Sequence, residues 1–232
     1  MKEVKTIVAA VSVSLIISAV ILAVGFSGIA RADRTVSVRG LAEKEVDADL
    51  AVWPLTFTLG SNDLAELQKD ILAKTEIVKQ YLAEYGISDA DYTVQSPSIT
   101  DNSVNPYMDK NQVRYLFLAK TTVLVRSSQV EQVKKAQADS LKLMSHGIAV
   151  SKDYDGKISF EFTALNDIKP QMIAEATKNA RTAAEQFARD SGSKVGKIKR
   201  ASQGLFSIED AAVGLAEKKN IRVVTTVEYL LK

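Results

Sequence analysis

The sequence predicts an α+β fold, a largely antiparallel sheet with long amphipathic helices on one face. Apolar residues alternate at period two in Val46–Leu59, Val113–Arg126 and Ile221–Leu231, which is the strand signature. They recur at helical spacing from Leu64 to Tyr85, from Val130 to Met144, and in an alanine-rich stretch from Ile168 to Asp190. No Pro-, Gly- or Ser-rich linker separates these segments, so residues 35–232 read as one domain built from repeated strand–helix–strand units.

The first unit begins with Ala51, Trp53, Leu55, Phe57 and Leu59 on one face of a strand. Pro54 cannot donate a ladder hydrogen bond, which predicts an edge or a bulge there. Ser61, Asn62 and Asp63 supply helix-start chemistry. Leu64, Leu67, Ile71, Val78 and Leu82 then follow at helical spacing until Gly86, and Tyr92–Thr100 resumes an extended run. Residues 101–111, with their Asn and Pro, read as a loop.

In the second unit Tyr115, Phe117, Ala119, Thr121, Val123 and Val125 alternate with Leu116, Leu118, Lys120, Thr122 and Leu124. Both faces are apolar in the first half, so this run reads as a central strand. Ser127 or Ser128 is expected to cap a helix whose inner face carries Val130, Val133, Ala136, Leu141 and Met144 and which ends at His146-Gly147. Asp155-Gly156 reads as the turn of a hairpin joining 148–150 to 158–160.

The third unit places Ile158, Phe160 and Phe162 in a strand, turns at Asn166-Asp167, and enters a helix from Ile168. Pro170 is tolerated if it falls within the first helical turn. A helical or irregular piece is expected over 208–216 before the closing strand.

Residues 1–34 form a separate N-terminal segment. Thr6–Ala30 carries no charge, between Lys2 and Lys5 on one side and Arg31, Asp33 and Arg34 on the other. As a helix it would extend about 37 Å, enough to cross a hydrocarbon core of about 30 Å. The run is longer than the apolar region of a cleavable signal, yet Gly28-Ile29-Ala30 and Ala30-Arg31-Ala32 place small residues where a peptidase acts. The expected location is a single-pass anchor in a bacterial inner membrane with the soluble part in the periplasm, or a soluble periplasmic protein after cleavage.

Composition excludes several functions. There are no cysteines, so disulfides, thiolate catalysis, thiol peroxide chemistry and cysteine lipidation are absent. With 30 basic and 28 acidic residues, the net charge of +2 offers no footprint for nucleic acid. No Gly-x-Ser-x-Gly elbow, phosphate-binding glycine loop or zinc-type histidine pair occurs.

His146, the single histidine, suits a helix C-terminus. Asp153-Tyr154-Asp155-Gly156 fails as a calcium loop, because the loop would end at Phe162 where an acidic residue is required. Glu43, Glu45, Asp47 and Asp49 form an alternating row, expected to be solvated or paired with Arg39 and Lys44. Trp53 is expected in the core. No catalytic, cofactor-binding or metal-ligating residue is assigned.

The run Ala180-Arg181-Thr182-Ala183-Ala184-Glu185-Gln186-Phe187-Ala188, followed by Gly192, Gly196 and Ile198, resembles the late helix-to-strand segment of the SIMPL-domain family of exported bacterial proteins. Thr35–Gly40 is similar to that family's opening strand and Ile221–Leu231 to its closing one. Ala42 and Ala48-Asp49 depart from its usual Gly-x-Gly and Pro-Asp. The resemblance implies a periplasmic or envelope protein of no known catalytic residues, some relatives being linked to oxidative-stress tolerance and at least one forming a large ring. The expectation is therefore a non-enzymatic envelope protein acting by homo-oligomerisation or by binding an unknown protein partner. A membrane-anchored ring or channel-like scaffold, and a cryptic small-ligand binder or enzyme, are the alternatives.

Overall fold

The structure is a computed structural model that describes residues 12–22, 34–104, 114–151 and 156–232. Residues 12–22 form helix α1, with Ile16, Ile17 and Ile21 exposed. The rest of the expected Thr6–Ala30 span lies outside the described residues. Among the described residues no helix is long and apolar enough to cross a membrane.

The fold is α+β, and its strands divide between two sheets. The order is β1 (Thr35–Asp47), β2 (Leu50–Ser61), α2 (Leu64–Glu84), β3 (Tyr92–Val94), β4 (Ser98–Asp101), β5 (Phe117–Ser127), α3 (Val130–Ala138), β6 (Ser159–Glu161), α4 (Leu165–Asp190), β7 (Val195–Gln203), β8 (Ser207–Asp210) and β9 (Lys218–Leu231). One sheet runs β3-β5-β2-β6 with β4 also on β5, and the other β1-β9-β7 with β8 also on β9. The described chain groups into two compact units, one of residues 42–173 and 205–223, the other of residues up to 41, 174–204 and 224–232.

The first unit is organised by β2 and β5, which pair antiparallel from Ala51–Ser127 to Ser61–Phe117. Trp53, Leu55 and Phe57 on β2 and Val123 and Val125 on β5 are buried beneath Val78, Tyr81 and Leu82 of α2 and Val133 and Ala136 of α3. Fully burying each large side chain contributes roughly 1.5–3 kcal/mol. The period-two and helical patterns therefore converge on one core, and β5 is central as expected, with partners on both sides.

Asp63 caps α2, its carboxylate accepting from the backbone N–H of Ala65 at 2.8 Å and Glu66 at 2.9 Å. Gly86 ends the helix at φ +77, a left-handed backbone that favours glycine. Pro54 lies where β2 lacks an outer partner strand among the described residues. Thr56, two residues on, turns its carbonyl to Ser151 N–H, away from β5, and β6 pairs only with Leu50–Val52.

Several expectations are corrected. Residues 148–150 and 158–160 do not form a hairpin with each other. Val150 bridges to Phe57 and β6 pairs with Leu50–Val52, so both fill the outer edge of β2 left by its interruption at Pro54. Asp153–Asp155 lie outside the described residues. Neither Ser127 nor Ser128 caps α3. Gln129 is the cap residue, and Ser127 Oγ accepts from its N–H at 3.1 Å.

The helix expected to run to His146 stops at Ala138 and continues as a 3₁₀ turn, Ser140–His146. The tighter 3₁₀ period rotates Leu141 and Met144 out to solvent. Helix α4 starts three residues early, so Pro170 is its sixth residue and lies beyond the first turn. The piece at 208–216 contains strand β8, drawn into register by Ile208 opposite Ile221.

In the second unit α4 packs through its alanines. Ala180 and Ala184 are fully buried against Val38, Val227 and Tyr229. Arg181 and Glu185 pair at 2.9 Å on its exposed side. The approach is so close that a Cβ on Gly40 would sit 1.8 Å from the Ala176 carbonyl oxygen and 2.4 Å from the Ala180 nitrogen. Leu231 N–H bonds Arg34 carbonyl at 2.7 Å, fixing this end of β1 to the end of β9.

Gly40→Ala and Ala184→Leu should each lower stability by about 1–3 kcal/mol through overpacking, whereas Arg181→Ala should change little. Thermal melts of the three variants check this, and a neutral Gly40→Ala would show that strand and helix separate freely.

Candidate functional site

Residues 96 and 97 break the outer edge of the β3–β5 pairing. Val94 stands opposite Val123, and Gln95 N–H bonds Thr122 carbonyl at 3.0 Å. Ser98 already stands opposite Lys120. Ser96 and Pro97 therefore lie together opposite Thr121, a two-for-one bulge at a residue that has no N–H to offer. Bulges of this kind recur beside functional sites because they open a strand edge.

Beside this bulge, α2 and the β3–β4 edge enclose a cleft of about 720 Å³. That volume lies within the range of about 300–1,000 Å³ usual for ligand pockets. Helix α2 supplies Leu64, Leu67, Ile71, Thr75 and Lys79 at spacings of three and four, and the edge supplies Val94, Pro97 and Ile99. Leu64, Leu72, Val94 and Ile99 leave substantial apolar surface in solvent.

Polar satisfaction around the cleft is uneven. Thr122, on the opposite face of β5, shares a 3.0 Å hydrogen bond with Thr56 Oγ1. The hydroxyls of Thr75 and Thr121, by contrast, are buried and have no hydrogen-bond partner among the described residues. Thr225 is the third such hydroxyl, in the other unit. Two of the three line this one cleft. An unbonded buried hydroxyl typically costs about 1–3 kcal/mol, so the pair lowers the stability of the fold.

A second polar cluster joins α2 to the turn after α3. Tyr85 donates to Asp139 Oδ2 at 2.7 Å, and Lys142 Nζ donates to Tyr85 Oη at 2.8 Å and lies 3.3 Å from Asp139. The bond from Tyr85 holds the Asp139 carboxyl below its ordinary range, and the bond to Tyr85 raises Lys142. Both shifts move these groups away from neutrality, the opposite of what proton transfer requires. The members satisfy one another, so the cluster reads as a clasp between elements. Tyr81 next to it donates to Ala136 carbonyl at 2.5 Å, and burial raises its phenol.

The residues singled out from the sequence are dispersed. His146 is exposed at the end of the 3₁₀ turn, where its carbonyl accepts from Lys74 Nζ at 2.5 Å and Gly147 adopts φ +72. The acidic row pairs across strands and not with Arg39 or Lys44. Glu43 meets Arg222 at 3.4 Å and Asp47 meets Lys218 at 2.8 Å, because β9 lies alongside β1. Asp49 instead caps the backbone N–H of Thr163 and Ala164. Trp53 is in the core. Among the described residues no group of acidic or histidine side chains could hold a metal ion.

The cleft was missed by sequence reasoning. Its only local signal is Pro97 inside an otherwise extended run, together with Thr75 on the apolar side of α2.

Two variants test the polar inventory. Thr121→Val, which removes the orphan hydroxyl at constant shape, should raise stability by about 1 kcal/mol, and Thr122→Val, which leaves Thr56 without its partner, should lower it by about the same. Denaturant titration reads both signs.

Asp91 supplies a pH test. Its carboxylate accepts from Ser88 Oγ at 2.5 Å and Ser88 N–H at 3.1 Å, and the Ser88 hydroxyl bond is the chief cause of its lowered pKa. A depressed carboxyl stabilises above its unfolded value of about 3.9, and that contribution fades as pH falls through the lower folded value. Acid unfolding of Asp91→Asn should therefore be shallower than wild type below about pH 4; identical acid limbs would show the contact idle.

Comparison with protein families matches residues 36–229 to the SIMPL model, described as a protein of unknown function (DUF541). A search among curated proteins returns no relative.

Proposed function

The chain belongs to the SIMPL family, and we propose that it is a non-enzymatic cell-envelope protein that acts by binding, through the cleft beside α2. The observation that carries this reading is the cleft itself, an apolar space between α2 and the β3–β4 edge whose Leu64, Leu72, Val94 and Ile99 are left exposed. A site that offers apolar surface but no group tuned to transfer protons or attack a substrate is suited to holding. Attachment to the inner membrane through residues 6–30, with residues 35–232 in the periplasm, is supported by the uncharged run and by the helical form and exposed isoleucines of residues 12–22. Self-association and a supporting part in oxidative-stress tolerance belong to the same proposal, on the strength of the family resemblance.

A photoreactive amino acid placed at Leu72, which lines the cleft and is 66% exposed, tests the binding reading in cells. Irradiation should yield an adduct at Leu72 and none at Lys69 on the same helix, in the membrane fraction of cells carrying the full chain. Equal labelling at the two positions, or none at Leu72, overturns the reading. A soluble species beginning at Arg31 or Asp33 would replace the anchored form by the cleaved one.

A further inference from the structure

We propose that the end of the β1-β9-β7 sheet at which the chain enters from its N-terminal segment rests on an anionic phospholipid surface, its cations meeting lipid phosphates. This inference deepens the membrane attachment proposed above and rests on it.

Charge is segregated between the two units, which the near-balance of the whole chain conceals. Residues 34–41, 174–204 and 224–232 carry ten basic and four acidic side chains, against 17 basic and 22 acidic in residues 42–173 and 205–223. The excess of cations therefore belongs to the unit that follows directly on the uncharged run.

The fold gathers part of that excess in one place. Where β1 starts, β9 stops and β7 starts, Leu231 N–H bonds the Arg34 carbonyl, and Lys194 and Lys232 exchange two backbone hydrogen bonds of 2.9 Å. Arg34, Lys232 and Lys194 thus end three neighbouring strands, which lie about 5 Å apart from one to the next. All three side chains are exposed, as is Lys197 on β7, the outer strand.

The acids of this unit do not answer them. Glu185 is held by Arg181 at 2.9 Å, and Asp190 accepts from Gln186 at 2.9 Å. Arg34 donates to Ser193 Oγ at 3.3 Å, and no side-chain carboxylate among the described residues lies within ion-pair distance of Arg34, Lys194 or Lys232. Like charges on adjacent strands repel, so the folded unit gains nothing from this grouping, whereas an external anion gives it a partner. Beside it a hollow of about 200 Å³, lined in part by Arg189, Ser193 and Lys194, offers a phosphate group a place between two cations.

Position selects the occupant. Ala30, the last residue of the uncharged run, is four residues from Arg34, a reach of at most about 14 Å. With residues 6–30 in a bilayer, this end of the sheet cannot stand more than about two Debye lengths from the headgroups, near enough for its cations to be drawn to anionic lipid. A nucleic acid would meet the same cations, but nothing tethers it there.

The chain has no cysteine, so one introduced as Ser191→Cys or Ser202→Cys is a unique point for a fluorophore. Both positions are exposed, Ser191 beside the cations and Ser202 about 26 Å along β7 from Lys194. The labelled full chain is placed in nanodiscs carrying an energy acceptor on the headgroups, made of phosphatidylcholine alone or with about 30% phosphatidylglycerol. At about 50 mM salt, transfer from the label at 191 should be at least about twofold greater in the anionic discs, and this surplus should shrink at about 500 mM. The label at 202 should show less than half of it. Lys194→Gln/Lys197→Gln/Lys232→Gln should abolish the surplus while melting no lower than wild type, and Lys194→Arg/Lys197→Arg/Lys232→Arg should keep it.

Equal transfer in the two kinds of disc, a surplus that survives in the glutamine variant or is lost in the arginine one, or an equal surplus from the label at 202 would each overturn the proposal. So would abolition of the surplus by an equimolar short DNA strand, which would assign the face to nucleic acid. If the discs hold the chain through a high-salt wash yet lipid charge has no effect, this inference fails and the attachment stands. Release of the chain by that wash refutes both.

Discussion

Strand β5 is the element on which the first unit depends. It is paired along its length with β2, and its inward side chains, Ala119, Thr121, Val123 and Val125, are all buried. A strand with one face in the core and partners on both edges has its register fixed, because a slip of one residue would send every apolar side chain to the wrong face. The outer edge is nevertheless held by two short strands, with Ser96 and Pro97 between them. The regular ladder with β2 is what lets the opposite edge be irregular without loss of the fold. The cleft occupies the space that this irregularity opens.

The second unit is held by what is missing from its side chains. Gly40 lacks the Cβ that would strike the Ala176 carbonyl, and Ala180 and Ala184 keep the inner side of α4 thin. Dispersion attraction falls off steeply with separation, so close approach of backbone to backbone compensates for the small area each alanine buries. The cost is intolerance, since nothing flexible lies in the way that could move aside for a larger residue.

Periodicity made the main elements legible. The alternation in Ala51–Phe57 and Ala119–Val125 and the alanine face of α4 each stated a burial pattern, and each is found buried on the expected side, although the run expected from Val46 is split by the turn between β1 and β2. What failed was decided by tertiary pairing. Leu141 and Met144 fit a continuous α-helix, but the chain tightens to a 3₁₀ turn after Asp139, and a change of period is invisible to a window that assumes one. The Asp-Gly signal suggested a hairpin, yet the vacant outer edge of β2 took both flanking segments. The charges of β1 found Lys218 and Arg222, residues 171 or more positions away that no local pattern could nominate. The cleft was illegible for a related reason. It is made by the side of a helix and a bulge that are separate in sequence, and threonine is an ordinary residue in both settings.

An orphan hydroxyl alone marks no site. Thr225 has one too, in the unit without the cleft. What distinguishes Thr75 and Thr121 is that both residues border one apolar cavity, in a unit that otherwise meets its buried polar side chains among the described residues. There Tyr81 finds the Ala136 carbonyl, Thr56 finds Thr122, and Ser61 donates to Glu66 at 2.9 Å. A valine would fit the pleat at position 121 as well as a threonine does, and would remove an unmet hydrogen-bonding group. The folded chain by itself gives no reason for that oxygen.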